Sequence, residues 1–530
     1  MPNQRLTDRD HDLLFGEDAL EPGDAVVHFE HGLARYDGRV KCDLGDTDQT
    51  LTTLMYRNGG KLMLPAVEGE DFWRFGAPAD ELVLDRLKAG DWERRRDEII
   101  AELRESANRM IEEDAARRSL KAISLEPDPK AYRAFEDEFA HEATEDQARA
   151  IEAVLEDLRR ETPMDRLLIG DVGFGKTEVA LRAAAAAALC GYQALIVAPT
   201  TVLARQHANT FSARFAKSGI KVAEMSRLTG TEERSELLQG IENGEIGIVV
   251  GTQAVLDDEV TIPHLALVII DEEQKFGEEQ KQQFRSMAEG AHILSMTGTP
   301  IPRSLAAAEV GLVDVCVVAT APKNRKPVET RLGPLDHEEI FRAINTEIGR
   351  RGQCYVVCPR VSDVEELERV FEDRKATFSY SVAHGQMDDE EMAAEMMNFM
   401  NGDVEVLLST SIIESGLDNS RANTMVIWNA ERFGLSQLHQ LRGRIGRSEL
   451  QAHMLLLSDV NLTEPCDASS RLTAFTEMSE IGAGFRIARR DRDIRGFGKL
   501  DGTEQSGQIS RLGIGLYRHI LKSHLAASAS

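Results

Sequence analysis

The chain has little cysteine, a shortage of positive charge and no long apolar run. Its six cysteines are scattered through 530 residues. Cys354 and Cys358 share the strand-like "CYVVC", but no second Cys/His pair completes a zinc site. That leaves reduced thiols, as in a cytoplasmic protein. No stretch approaches the ~18 uninterrupted apolar residues of a membrane span. The opening "MPNQRLTDRDHD" lacks the apolar region of a secretory signal. With 62 Lys and Arg against 90 Asp and Glu, the formal charge is −28. Such a balance argues against indiscriminate nucleic-acid binding, because phosphate contacts need positive potential. A local basic track remains open: residues 485–500 carry six Arg/Lys against two Asp.

What is present is enough apolar content, 42%, for three or four domains. Residues 20–75 read as short strands with tight turns, and Asn58-Gly59-Gly60 makes a good hairpin turn. A small β-barrel is expected there. From about 80 to 135 the chain is highly charged with a narrow apolar stripe, the pattern of a linker helix, which "EPDP" at 126–129 ends. Between 140 and 325, "RLLIGD", "QALIVAP", "IGIVVGT", "LALVIIDE" and "HILSMTGT" read as buried strands of a parallel α/β sheet. A second such series, "CYVVCPR", "FSYSVAHG", "VEVLLSTS", "TMVIWNA" and "AHMLLLS", fills 330–458. Two α/β domains in tandem put a cleft between them.

Three motifs carry chemistry. "GDVGFGKTE", 170–178, follows a strand and opens a helix, matching the full phosphate-loop pattern. Gly170, Gly173 and Gly175 let backbone N–H groups wrap phosphates at a helix N-terminus. Lys176 would reach the β/γ-phosphates and the Thr177 hydroxyl would ligate Mg²⁺. A chance glycine-rich turn is the bland alternative, and the strand and helix flanks argue against it. "LALVIIDEEQ", 265–274, delivers two carboxylates to the ligand-binding edge of a sheet. Asp271 would hold Mg²⁺, mostly through water, and Glu272 would orient and deprotonate an attacking water. A solvated acidic turn is commoner for such a pair alone. In "LHQLRGRIGRS", 438–448, Gln440, Arg444 and Arg447 fall on one face of a helical turn. Arginines facing a cleft stabilise a transferring γ-phosphoryl, worth ~10³–10⁵ in rate; a surface ion-pair helix is the alternative.

Together these motifs resemble superfamily 2 helicases and translocases. "APTTVLARQH" (198–207) is similar to a DNA-contacting motif, "TGTPIPR" (297–303) to the motif coupling hydrolysis to motion, and "STSIIESGLD" (409–418) to motif V. More narrowly, "GDVGFGKTEVA", "TPIPR", "AHGQM", "ANTMVI" and "FGLSQLHQLRGRIGRS" resemble the motor of the Mfd transcription-repair coupling factors, with RecG as its relative. "IRGFGKLDGTEQSG" (494–507) resembles that family's translocation motif, and residues 23–75 resemble the Tudor-like domain by which Mfd and CarD proteins bind RNA polymerase β. The likeness runs from about 20 to 521.

The resemblance implies an α/β fold with two tandem RecA-like parallel-sheet lobes, preceded by a small Tudor-like β-barrel and a linker helix. It divides the chain into an RNA polymerase-interaction module (1–78), a helical linker (79–135), helicase lobe 1 (136–325), helicase lobe 2 (326–460), and a translocation motif with a C-terminal helix (461–530). It implies ATP and Mg²⁺ as cofactors, with Gln147, Glu178, Asp418 and Gln440 joining the phosphate loop at the nucleotide. DNA contacts fall to Thr200, Thr201, Arg205, Thr252 and Thr410, and translocation to Arg495 and Gln505. The implied protein is a cytoplasmic monomer that tracks double-stranded DNA, docks on RNA polymerase β and dislodges it. In "RRDRDIRGFGKLDGTEQSG", 489–507, arginines would sense lobe closure while glycines let the backbone bend.

Departures from the family pattern are informative. The fourth residue of its DEEH is Gln274; His141 stands where an aromatic usually meets adenine; Gly298 and Asn419 replace more typical residues. Nothing in the given span matches the UvrA-recruiting domains, so UvrA binding is not expected, nor an autoinhibitory domain. A RecG-like branch-migration enzyme is the alternative. Residues 1–75 hold eight Lys/Arg against fifteen Asp/Glu, which speaks against a nucleic-acid-binding barrel. A non-catalytic polymerase-binding regulator is the other alternative, disfavoured by intact Lys176, Asp271, Glu272 and Arg447.

Overall fold

The computed structural model describes residues 7–16, 19–43, 48–65, 71–79, 82–87, 90–300, 302–309, 311–322, 325–414, 419–448, 450–460, 467–478, 480, 482–487 and 512–529. Contacts divide the chain into two units. One comprises residues 1–116, 301–313 and 488–530; the other comprises 117–300 and 314–487.

The first unit is built on five antiparallel strands: β1 (Asp24–His28), β2 (Gly32–Asp43), β3 (Asp48–Met55), β4 (Lys61–Pro65) and β5 (Phe72–Pro78), in the order β4-β3-β2-β1-β5. Alternation along β1 serves two cores. Val26 packs with Ala34, Tyr36, Leu54 and Phe72. Its neighbours Ala25 and Val27 point the other way, toward Phe75, Trp92, Ile99 and Leu103. The Asn58-Gly59-Gly60 turn joins β3 to β4 as expected, with Gly59 at φ 77°. The helix Asp91–Ser119 buries the narrow stripe Trp92, Ile99, Leu103, Ala107 and Met110.

Against the same core, the C-terminal helix Ile514–Ala529 sets Leu516, Tyr517, Ile520, Leu521 and Leu525. Each fully buried leucine or isoleucine there is worth about 1.5–3 kcal/mol. Glycine permits the approach: an ideal Cβ on Gly515 would stand 2.6 Å from Trp73 Cβ. Glu309, ending the helix Pro302–Glu309, accepts from both Arg518 Nη2 and Lys522 Nζ at 3.1 Å.

"EPDP" does not close the long helix, which already stops at Ser119. It opens the next one. Asp128 accepts from the Lys130 and Ala131 amides, and Pro129 takes the first position of Pro129–Glu136, where its missing N–H costs nothing.

The second unit holds two parallel sheets. The first contains β6 (Asp165–Gly170), β7 (Gln193–Val197), β8 (Lys221–Met225), β9 (Ile246–Gly251), β10 (Leu265–Ile270), β11 (His292–Thr297) and β12 (Asp314–Val318), in the order β12-β6-β11-β10-β7-β9-β8. The second contains β13 (Glu329–Pro334), β14 (Gln353–Val357), β15 (Tyr380–Ala383), β16 (Val406–Ser409), β17 (Ala422–Ile427) and β18 (His453–Ser458), in the order β13-β18-β17-β14-β16-β15. Central strands such as β6, β7 and β11 are buried along their whole length, which is why they read as unbroken apolar runs. Strand β11 lies between β6 and β10, so Gly170, Thr297 and Asp271 leave the sheet side by side at its C-terminal edge.

Candidate nucleotide site

The loop after β6 needs its glycines. Gly173 and Gly175 adopt φ 77° and 79°, and Gly175 precedes the helix Lys176–Leu189. Lys176 Nζ donates to Gly170 O at 2.5 Å. Loss of water pushes its proton affinity down, while Glu272, Asp271 and Asp171 pull it back up. Gln147 is tied to the loop by Nε2, which donates to Phe174 O at 2.8 Å, while its Oε1 accepts from Thr144 N at 2.9 Å and caps its own helix. Thr177 sits half-buried on the first turn of the helix. Glu178 turns away into the core, accepting from Arg182 Nε at 2.6 Å and Arg214 Nη2 at 3.3 Å.

From β10 comes the acidic pair. Asp271 Oδ2 meets His207 Nε2 at 2.8 Å, and its Oδ1 accepts from the Glu272 amide at 3.0 Å. Burial alone would raise this carboxyl, but His207, then Lys176 and the Glu272 amide, hold it below the usual range. Glu272 occupies the left-handed region at φ 50°, ψ 51°, a strained conformation for a residue with a side chain, of the kind concentrated at functional sites. A hydrogen-bonded line starts here. Gln274 Nε2 donates to Glu272 Oε2 at 2.5 Å, and Thr297 Oγ1 donates to Gln274 Oε1 at 2.6 Å. The Thr299 amide then donates to Thr297 Oγ1 at 3.0 Å, and Gln440 Nε2 donates to Thr299 Oγ1 at 3.0 Å. The acidic pair of the first sheet is thus joined to the arginine-rich motif of the second.

That motif departs from one expectation. The helix Leu435–Arg442 stops before Gly443, so Gln440, Arg444 and Arg447 do not share one helical face. Close packing explains the glycine: an ideal Cβ on Gly443 would stand 2.5 Å from Val172 Cβ. Arg444 is 3% exposed, donates from Nη2 to Glu414 O, and brings the same nitrogen to 3.7 Å from Glu272 Oε1. Its Nε is buried without a hydrogen-bond partner among the described residues. Burial and then Arg447 depress its proton affinity, with Glu272 and Asp271 opposing. Arg447 donates back to Gly443 O at 3.3 Å.

The residues assigned to DNA are spread over both sheets. Thr200 caps the helix Thr201–Phe215, accepting from Leu203 N at 3.3 Å. Thr201 is its first residue. Arg205 pairs with Glu224 at 3.0 Å. Thr252 is buried and caps the turn Gln253–Leu256 after β9. Thr410 is buried just after β16. Asp418, Arg495 and Gln505 lie outside the described residues, as does the whole of 489–507. His141 is exposed and meets Phe139 edge-on at 5.7 Å. Asn419 is buried with partners of its own, donating to Gln353 Oε1 at 3.0 Å and accepting from the Arg421 amide at 3.0 Å.

Three descriptions of known families match. "DEAD/DEAH box helicase" covers residues 144–308, "Helicase conserved C-terminal domain" covers 337–449, and "CarD-like/TRCF RID domain" covers 20–71. The transcription-repair-coupling factor of Bacillus subtilis (strain 168) is 38% identical over 526 residues, 98% of this chain and 44% of that protein. The one from Escherichia coli (strain K12) is 37% identical over 509 residues, 96% and 44% respectively. The chain belongs to the Mfd transcription-repair-coupling factor family. It spans less than half the length of these relatives. The two helicase matches give this chain both domains of a superfamily 2 motor. A structure of RecG bound to a three-way DNA junction superposes with a TM-score of 0.63 at 27% identity, covering 98% of this chain and 82% of that one.

Within this Mfd-family chain, sequence reasoning missed His207, although it closes the quoted "APTTVLARQH", because nothing local shows that it faces Asp271. It also missed Arg325, whose Nη1 donates to Val172 O at 2.5 Å, and His439, whose Nε2 lies 2.6 Å from Asp171 Oδ1. Among the described residues, no helix is long and apolar enough to cross a membrane.

Proposed function

We propose that the chain is an ATP-dependent double-stranded DNA translocase that binds RNA polymerase and remodels or displaces stalled transcription complexes. The observation that carries the reading is the unbroken line Glu272–Gln274–Thr297–Thr299–Gln440, which gives one side-chain carboxylate a physical connection to both sheets. A nucleotide fits the residues present. The left-handed glycines at 173 and 175 keep side chains off the loop, Lys176 supplies charge, and buried Arg444 keeps an Nε donor without a partner among the described residues. MgATP would supply the phosphoryl group and the free energy of its hydrolysis. Lys176 would neutralise phosphate charge, and Thr177 and Asp271 would hold the magnesium ion. Among the described residues no group of three or more His, Cys, Asp or Glu could hold a metal. Glu272 takes the proton from the attacking water, and Arg444 with Arg447 stabilises the charge that develops.

Lys176→Ala or Glu272→Gln is expected to abolish DNA-stimulated ATP hydrolysis with the fold intact. Undiminished hydrolysis by either variant overturns the assignment.

Residues 20–75 are the proposed contact to RNA polymerase β, in a cytoplasmic, monomeric protein. Val40 on β2 and Met63 on β4 are 47% and 46% exposed, large for apolar side chains on one small sheet. Val40→Glu with Met63→Glu is expected to weaken polymerase capture and leave ATP hydrolysis unchanged; unaltered capture contradicts the placement. The second reading, a RecG-like fork-remodelling enzyme, draws on the RecG likeness. Regression of a model fork in preference to displacement of a stalled elongation complex would favour it.

A further inference from the structure

The chain passes from the first parallel sheet to the second between β12, which ends at Val318, and β13, which begins at Glu329. Side chains from both sides hold that crossing. On the first-sheet side one holder is Asp146, 2% exposed on the opening turn of the helix Glu145–Leu158. Its Oδ2 accepts from the Ala319 amide at 3.0 Å and from Thr320 Oγ1 at 2.7 Å. Its Oδ1 accepts from Arg149 Nη2 at 2.6 Å. Gln147, next along the same turn, is the residue bound to Phe174 O of the phosphate loop. A second hold is Arg325, whose Nη1 donates to Val172 O at 2.5 Å and whose guanidinium lies 5.8 Å over the Phe174 ring. Gly173 makes room for it: an ideal Cβ there would stand 2.5 Å from Arg325 Nη1.

From Pro327 onward the partners belong to the second sheet. Gln451 Nε2 donates to Pro327 O at 2.7 Å. Val328 is buried against Gly446, whose ideal Cβ would stand 3.3 Å from Val328 Cγ2. The Glu329 amide donates to Ala452 O at 3.0 Å, where the pairing of β13 with β18 begins. Between Arg325 and Pro327 stands Lys326, which is exposed. Peptide planes are stiff, so the chain there turns only about φ and ψ. The ring of Pro327 locks its own φ. The torsions left are ψ of Arg325 and the pair at Lys326, which the following proline biases toward extended values.

We propose that Lys326 is the pivot about which the two sheets turn, with Asp146, Arg325 and Gln451 as the positioning residues that confine the turn to it. Confinement gives Arg444 and Arg447 a single arc of approach to the phosphate loop, where a loose crossing would scatter them. The inference rests on the reading of the protein as a nucleotide-driven translocase.

The test uses the full chain in MgADP, then in MgADP with beryllium fluoride. Energy transfer is read between dyes on unnatural amino acids at Lys217 and Arg369, whose side chains are 79% and 71% exposed. The parent should change its transfer when beryllium fluoride is added. Lys326→Pro locks φ and restricts Arg325 as well, so it should keep less than about a fifth of that change, with MgADP affinity within about twofold of the parent. Lys326→Ala keeps the torsions and should close like the parent; Lys326→Gly has more backbone freedom and should broaden the spread of distances. A full change in Lys326→Pro overturns the pivot, and so do identical spreads for the alanine and glycine variants. Amide exchange reads the anchors separately. In Asp146→Ala the Ala319 amide should exchange about tenfold faster while the Glu329 amide keeps the parent's rate. Unchanged exchange at Ala319 overturns the fastening. If the parent shows no response to beryllium fluoride, the nucleotide-driven reading fails, and the exchange measurement still decides whether Asp146 holds the crossing.

Discussion

His207 holds Asp271: its Nε2 lies 2.8 Å from the Asp271 Oδ2, from a helix whose sequence reads as a DNA-contacting motif. The bond turns the carboxylate so that Oδ1 meets the Glu272 amide. Partners that orient a metal ligand typically matter ~10–100-fold in affinity or activity. His207→Ala should therefore lower ATP turnover by about that factor and raise the Mg²⁺ concentration needed for half-maximal rate. A magnesium titration of hydrolysis checks it, and an unchanged midpoint contradicts it.

Gln274 donates to Glu272 and accepts from Thr297 with one amide. A neutral histidine offers one donor and one acceptor, so Gln274→His should sustain hydrolysis above about pH 7. Protonated below about pH 6.5, it has two donors and cannot accept from Thr297, so turnover should fall on acidification more steeply than in the parent. Gln274→Ala should fail at every pH. Parallel pH–rate profiles for the parent and Gln274→His contradict the line.

Gly298 lies between the phosphate loop and Thr299, yet it is not required for space. An ideal Cβ would stand 3.7 Å from Gly170 O and 3.8 Å from Lys176 Nζ, ordinary contact distances. Gly298→Ala should be active and more stable by about 0.4–1 kcal/mol, through lost freedom in the unfolded chain. A lower melting temperature contradicts this.

Burial would raise the Glu309 carboxyl, but Arg518 and Lys522 hold it below its ordinary value. A depressed value means stability that is present above the unfolded pKa of about 4.3 and lost as pH falls through the folded one. Glu309→Gln should cost about 1.5–3 kcal/mol at neutral pH, a loss that shrinks as the parent is acidified below about pH 4. Thermal melts at pH 7 and about pH 3 measure the difference; an equal loss at both contradicts the ion-pair account.

The sequence showed the central strands and the phosphate loop plainly, because buried parallel strands are unbroken apolar runs and the loop needs a fixed glycine spacing. The strands it did not show, β8, β12 and β13, are all at sheet edges. β8 and β13 carry charged residues at exposed or half-exposed positions, such as Glu224, Glu329 and Arg331, and lack the unbroken apolar signature. The reason for Gly443 was also hidden: it follows the helix Leu435–Arg442 where Val172 leaves no room for a Cβ, a contact from the phosphate loop. For the same reason the Gln274 line was illegible. Its partners stand 23 residues away at Thr297, and beyond that Thr299 meets Gln440 across 141 residues. Local pattern names chemical groups; only the fold says which of them touch.

The central claim is tested most directly on a stalled RNA polymerase elongation complex, with labelled transcript, incubated with this chain and MgATP. The parent protein should release the transcript, whereas Glu272→Gln, or the parent without ATP, should leave it bound. Release without ATP, or equal release by Glu272→Gln, would contradict the account.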